Sequence, residues 1–529
     1  MRTQSVLILP ALAALACHVP TESESGIPDA LTERSAGVRL AHGEILYGMH
    51  CAVCHGAGGR ADGPASEFLF PPARDFSVER FRLVSSANGA PFDRDLVATL
   101  RRGMPGSAMP AWNWLPEEDL WALASYVRSL AVEGLAQALE ERARSNGDET
   151  LLADAASIAR ERLTPGDPLR PRGALVAAPL DLEHGRVLYL EKCASCHGPD
   201  GKGEPEPRFD EDGTLDWARD FTAGFLKGGD GPAELACRIR AGMPGTAMPP
   251  TVLEPPEEAR LIAYVRSLIP EGTGARLVHT RASLRARRIQ TAPEEPDDPA
   301  WEGADEIEVV LAPLWWSEKA VLGASLAALH DGDELALRLR WPDATGVVRL
   351  FSEASPTDGA ALQLSAATHP ALFGMGAPGE PTNLWHWQAL RLEDVAGALD
   401  LLDLVPHALR PTRPGEVQAD VPLYQRLLAR PEPSSRVDRI TVQGVENIAH
   451  ASRAPFEVSA CARWQDDARS DEGGWAVVFK RSLTSAGPDE IALLPGSTLQ
   501  VACAVWNGAA GDGGARKSIS IWQELVLEP

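Results

Sequence analysis

Positive charge is in short supply. The chain has 50 Lys and Arg against 74 Asp and Glu, a formal net charge of −24. So acidic a surface repels phosphate, which argues against nucleic acid as a partner. It suits docking to a basic protein and also aids solubility. Long hydrophobic runs are missing beyond the first twenty residues, so no later stretch has the length and apolarity of a membrane-crossing helix. Cysteine is sparse, with eight in 529 residues, so each can be accounted for singly. Apolar content is ordinary at 44%, and the length exceeds one core, so about three domains are expected.

Four of the eight cysteines fall in two pentads, Cys51-Ala52-Val53-Cys54-His55 and Cys193-Ala194-Ser195-Cys196-His197, which lie 142 residues apart. Two thiols at this spacing form thioethers to the two vinyl groups of one porphyrin, and the following His lies under the iron. This is the attachment pattern of a c-type haem. A bare CxxC also fits a zinc half-site or a redox dithiol. The surrounding repetition speaks for haem. His42-Gly43-Glu44-Ile45-Leu46-Tyr47 is echoed by His184-Gly185-Arg186-Val187-Leu188-Tyr189. Ala73-Arg74-Asp75-Phe76 returns as Ala218-Arg219-Asp220-Phe221, and Gly103 to Pro110 returns as Gly242 to Pro249. Tyr126-Val127-Arg128-Ser129-Leu130 recurs at Tyr264 to Leu268.

This order of motifs resembles class I cytochromes c. An amphipathic helix enters CxxCH, a Met-bearing loop follows, and a last helix closes the unit. The resemblance implies a second axial ligand in a Met-Pro loop, matched by Met109 and Met248. Met104 and Met243, in Gly-Met-Pro-Gly, are the rivals, and core packing is the ordinary use of Met. His55 with Met109, and His197 with Met248, would fill both axial positions and raise the haem potential. Arg74 and Arg219 are candidates to pair with haem propionates, because a guanidinium matches a carboxylate in a fork. An ordinary surface ion pair is the alternative.

The N-terminus reads as a targeting segment over residues 1–17. Arg2 precedes a short apolar stretch from Val6 to Ala16, and Cys17 follows. The pattern resembles a bacterial lipoprotein leader, with simple secretion as the alternative. The expected location is therefore exported and periplasmic, with lipid anchoring through Cys17. Cys237 is expected to be a small buried residue. Cys461 and Cys503 fall in strand-like segments and are candidates for a disulfide in an oxidising compartment.

The expected organisation is two all-α haem domains over 37–134 and 175–272, followed by an antiparallel β-sandwich over 301–529. A helical linker over 135–174 joins the first two, and a charged linker over 273–300 leads to the third. From Trp301 onward the apolar period falls to two, as in Leu335, Leu337, Leu339 and Trp341, with turn residues between runs. Segments of this domain resemble the haem-b domain in the γ subunits of ethylbenzene dehydrogenase and dimethylsulfide dehydrogenase. They are Leu335 to Asp343, Phe373 to Trp387, Gly474 to Arg481, Ala504 to Gly508 and Arg516 to Trp522. In that family a non-covalent haem b sits between a Met and a Lys, matched here by Met375 and Lys517. Lys480 and His386 are the rivals. Residues 391–436 depart from the family pattern.

The resemblance implies an electron carrier, not an enzyme, holding two haem c and one haem b. It would connect a periplasmic oxidoreductase, of the molybdenum and iron–sulfur kind, to a respiratory acceptor. The alternatives are a dihaem peroxidase, which needs one open iron, and a dihaem cytochrome with a sugar-binding sandwich.

Overall fold

A computed structural model describes residues 36–78, 80–169, 182–203, 208–209, 215–224, 226–273, 278–346, 357–368, 370–371, 382–389, 437–442, 448–450, 458–465, 473–484 and 490–529. Cys17 and Met375 lie outside the described residues.

The first helical unit starts with α1 (Ala36–His50), which runs into a single turn, α2 (Ala52–His55), carrying the first pentad. After a loop come α3 (Asp93–Arg102) and the long α4 (Glu117–Asn146). Three acids, Glu117, Glu118 and Asp119, occupy the first turn of α4, where they complement the positive end of the helix dipole. Gly147 ends it in the left-handed conformation at φ 69°, a position that favours glycine. Asp148 then caps α5 (Glu149–Arg162) by accepting a hydrogen bond from the Leu151 N–H. The segment expected as a linker over 135–174 therefore begins as a helical hairpin folded onto the first unit. Leu135, Leu139, Ala155, Ala159 and Leu163 belong to its core. Spread over two faces of two helices, these apolar positions form no obvious stripe in the sequence.

The second unit repeats the plan with α6 (Leu182–Lys192), α7 (Ala194–His197), α8 (Pro232–Ala241) and α9 (Pro255–Leu268). Arg208–Phe209 and Leu215–Asp216 pair as a short hairpin, β1 and β2. One contact is common to both units. A Cβ placed on Gly43 would lie 2.2 Å from the Ala122 carbonyl oxygen, and one on Gly185 would lie 2.3 Å from that of Arg260. The entering helix thus crosses the closing helix with no room for a side chain. Tyr47 meets Tyr126, and Tyr189 meets Tyr264, each with ring centroids 5.3 Å apart.

The third unit is a two-layered β structure. Its strands are β3 (Ser283–Arg288), β4 (Glu306–Pro313), β5 (Gly323–His330), β6 (Glu334–Pro342), β7 (Gly359–Ser365), β8 (Thr382–Gln388), β9 (Val437–Val442), β10 (Ile448–His450), β11 (Ser459–Gln465), β12 (Gly474–Ser482), β13 (Thr498–Trp506), β14 (Ser518–Ser520) and β15 (Gln523–Leu527). The path runs β10-β9-β8-β7-β13-β14-β4-β5-β6-β12-β11. β4 joins the layers, pairing with β14 through Leu311 to Pro313 and with β5 through Glu306 to Val310. Leu337, Leu339, Val477 and Phe479 from one layer meet Leu362, Leu364, Trp385, Val501 and Val505 from the other. The pairing is antiparallel, as expected, except at β3, which runs parallel to both β15 and β5. β3 lies in the stretch expected as a linker. Its run Ser-Leu-Arg-Ala-Arg-Arg looks basic, yet Leu284 and Ala286 are wholly buried while their neighbours face outward.

The expected Cys461–Cys503 disulfide is not formed. The two lie in opposite layers, Cys461 on β11 beside β12 and Cys503 on β13 beside β7. Cys461 Sγ lies 3.2 Å from Glu295 Oε2, whereas Cys503 is in the core. Cys237 is half-buried, its Sγ 3.5 Å from the Leu169 carbonyl.

Replacing Gly43 or Gly185 by Val should destabilise the corresponding unit by about 1–3 kcal/mol or more, as overpacking does. Thermal unfolding followed by circular dichroism checks this, and an unchanged transition would contradict the no-room crossing.

Candidate haem centres

Each helical unit encloses one cleft, and the pentad residues converge on it. Cys51, Cys54, His55, Met104 and Met109 line the first. Cys193, Cys196, His197, Met243 and Met248 line the second. The space between atoms is about 1410 Å³ in the first and about 1520 Å³ in the second, open solvent at the mouths included.

The histidines are held alike. His55 Nδ1 lies 2.9 Å from the Arg74 carbonyl oxygen, and His197 Nδ1 lies 3.1 Å from that of Arg219. A carbonyl only accepts, so Nδ1 carries the proton and the Nε2 lone pair is left for a metal. Burial lowers the pKa of both rings, which keeps them neutral, the form a ligand needs. Phe76 stacks on His55 at 4.7 Å and 19°, and Phe221 stacks on His197 at 4.5 Å and 20°. Tyr47 donates to the Gly56 carbonyl at 2.8 Å and Tyr189 to that of Gly198 at 2.7 Å, closing the turn behind each pentad. Burial pushes the Cys51 and Cys54 thiols up to about 12 and Cys193 to about 11. Burial thus favours the neutral thiol in each apolar cleft. Two thiols, a neutral imidazole with its metal-facing nitrogen free, and a thioether together fit a covalently held haem.

The methionine loops are matched bond for bond. Met104 N–H donates to the Met109 carbonyl at 3.0 Å, and Met243 N–H to that of Met248 at 3.1 Å. Ser107 and Thr246 donate back to the Met104 and Met243 carbonyls at 2.7 and 2.8 Å. Gly103 at φ 69° and Gly242 at φ 63° open these loops, and a Cβ on either would meet backbone at 2.5 or 2.6 Å. Both methionines of each loop therefore reach their cleft.

Arg74 and Arg219 line their clefts, but their backbone carbonyls do the orienting. The repeated Ala-Arg-Asp-Phe segment was legible in the sequence; the roles of its carbonyl and its Phe were not. In the sandwich, burial lowers the Lys517 pKa to about 8, and its Nζ sits 5.0 Å over the Trp506 ring. Trp506 in turn lies 4.9 Å from His386. Lys480 is engaged elsewhere, with Nζ 3.0 Å from Glu294 and 2.6 Å from Glu334. Burial works against its charge, but those hydrogen bonds raise its pKa. A cation so held is a poor ligand.

The three units meet at these sites. Phe70 of the first unit pairs with the sandwich, its N–H donating to the Leu314 carbonyl at 2.9 Å and its carbonyl accepting from Trp316 N–H at 2.7 Å. Cys54, Leu69 and Ala108 share an apolar cluster with Leu314 and Ile519.

Comparison with known proteins agrees with this layout. Residues 38–127 match the family described as cytochrome c oxidase, cbb3-type, subunit III, and residues 182–268 match cytochrome c. Residues 298–518 match the ethylbenzene dehydrogenase family. The chain thus joins two cytochrome c domains to a domain of the ethylbenzene dehydrogenase type, and it is an electron carrier. It is 22% identical over 244 residues to a Haloferax mediterranei protein named as respiratory nitrate reductase heme subunit ORF7, covering 45% of this chain and 69% of that one. Among solved structures, a chain of the Kuenenia stuttgartiensis reducing HAO-like protein complex is 28% identical, with 43% of this chain and 96% of that chain covered and a TM-score of 0.36. A family 9 carbohydrate-binding module from Caldicellulosiruptor kristjanssonii with cellotriose is 9% identical, with 46% and 93% covered and a TM-score of 0.23.

Removing one turn-closing hydroxyl, in Tyr47→Phe or Tyr189→Phe, should cost about 0.5–1.5 kcal/mol, as loss of one hydrogen bond does. Urea unfolding of each variant measures it, and equal midpoints for variant and parent would remove the role assigned to the hydroxyl.

Proposed function

We propose that this chain is a three-haem relay with two haem c and one haem b. On this reading it carries electrons outside the cytoplasm between an oxidoreductase and a respiratory acceptor. The observation that carries the reading is the doubled cleft, in which thiols, neutral imidazole and thioether converge twice with the same hydrogen bonds. Bound haem supplies a one-electron iron couple. The protein's residues hold it, set its surroundings and keep substrates away from the metal. We assign His55 with Met109 and His197 with Met248 as axial pairs, Cys51, Cys54, Cys193 and Cys196 as thioether sites, and Met375 with Lys517 as the haem-b pair.

The lowered pKa of Lys517 supports this last role, because an amine binds a metal only when deprotonated. Lys517 immediately precedes β14, where its carbonyl accepts from the Leu314 N–H at 2.8 Å, and Ile519, two residues on, packs in the cluster that contains Cys54. A haem held at Lys517 would therefore neighbour the first cleft. The first methionine loop is covered, with Ala108 and Pro110 buried. In the second, Ala247, Pro249 and Pro250 are exposed, and nearby Val252 is 83% exposed. That open loop is the natural contact for a partner. A molybdenum and iron–sulfur oxidoreductase is the partner we favour, consistent with the nitrate reductase haem subunit to which the chain is related. A lipid anchor at Cys17 would keep the relay at the periplasmic face of a membrane.

Two measurements test the assignment. Met109→Leu should abolish one near-infrared sulfur-to-iron charge-transfer band, while Met104→Leu should leave both; the reverse pattern would transfer the role to Met104. A pyridine haemochrome assay of the parent should give two c-type haems and one b-type. Lys517→Ala should lose most of the b-type and retain both c-type, and a parent without haem b would sink that part of the proposal.

A further inference from the structure

The two clefts are not walled separately. Leu83 of the first unit lines the second cleft as well as its own, and Met243 of the second unit lines the first cleft as well as its own. Neither residue's counterpart in the other repeat does the same. Phe76 and Phe221 are matched positions, so Leu83, seven residues past Phe76, corresponds to Gly228, seven past Phe221. Met104, the counterpart of Met243, lines the first cleft only. Each unit therefore sends one apolar side chain across to the other.

Packing accounts for these residue types. A Cβ placed on Gly228 would lie 3.4 Å from Leu83 Cδ2. The matched positions thus meet each other, with space for one side chain between them, and the first unit supplies it. Leu83 is buried there. The second methionine loop is seated against the first unit. A Cβ on Gly245 would lie 3.3 Å from Arg80 Cδ, and one on Gly89 would lie 3.8 Å from Pro244 Cγ. Met243 leaves the loop beside these contacts. The backbone next to Leu83 and Gly228 is pinned across the seam. Arg238 donates from Nη1 to the Arg82 carbonyl at 2.8 Å, and Arg102 donates from Nε to the Lys227 carbonyl at 2.8 Å.

The chemistry of such a partition follows from the metal it borders. Oxidised haem iron carries one more positive charge than reduced iron, and water or polar groups stabilise that charge. An apolar layer that excludes them favours the reduced form. We propose that Leu83 and Met243 form an apolar partition common to both clefts, which keeps water out of the seam and raises the potential of both c haems. This rests on the haem-c reading above, with Met248 as the ligand and Met243 acting through the surroundings. Each residue is then a tuning residue for both metals, not for its own repeat alone.

Optical redox titration of the intact, haem-loaded protein tests this. Leu83→Gln and Met243→Gln place an amide in the partition and should each lower both c-type midpoints. Leu83→Ala and Met243→Ala should move both in the same direction by less, and they give the reading where a Gln variant loads less haem. Met243→Leu should hold both midpoints near the parent values and keep both near-infrared sulfur-to-iron bands. Met104→Gln and Leu226→Gln, at positions lining one cleft each, should lower one midpoint only. If the partition variants shift one midpoint or none, or if the single-cleft controls shift both as far, the partition is overturned. Loss of a band in Met243→Leu would make Met243 a ligand and would equally end its role here. A parent lacking two c-type haems would instead overturn the functional reading itself.

Discussion

The fold rests on a helix crossing that leaves no space for a side chain. In each cytochrome unit the entering helix presents glycine to a backbone carbonyl of the closing helix, Gly43 to Ala122 and Gly185 to Arg260. Close approach at this point sets where the entering helix ends. The pentad begins one residue after α1 and one residue after α6, so the crossing fixes the direction in which thiols and imidazole leave the helix. The tyrosine four residues past each glycine then reaches the carbonyl behind the pentad. The tight turn delivers the histidine beneath the Phe that stacks on it.

Much of this was legible because the sequence says it twice. Neither His-Gly nor Ala-Arg-Asp-Phe means much alone; repeated at matched places around CxxCH, they mark positions that cannot vary freely. What repetition could not reveal was the use of backbone. Arg74 and Arg219 drew notice for their guanidinium groups, yet their carbonyls orient the histidines, and a carbonyl has no sequence signal. β3 was hidden for a related reason. Three arginines in six residues outweigh Leu284 and Ala286 in composition, but alternation on a pleated strand sorts the charges to one side and the apolar groups to the other. Residues 135–174 read as helical in the sequence, but their folding back onto the first unit did not, because the buried residues within α5 are Ala155 and Ala159, too weakly apolar to mark a face.

The two cytochrome units are copies in sequence but not in setting. The first is enclosed from two sides. The sandwich adds Leu314 and Ile519 against Cys54 and Ala108, and the second unit contributes Lys227 and Met243 to its cleft. In the second, Ala247, Pro249 and Pro250 of the methionine loop are exposed. Identical chemistry therefore sits in different dielectric surroundings. A buried ferric centre carries more uncompensated charge than an exposed one, and burial alone favours the reduced form.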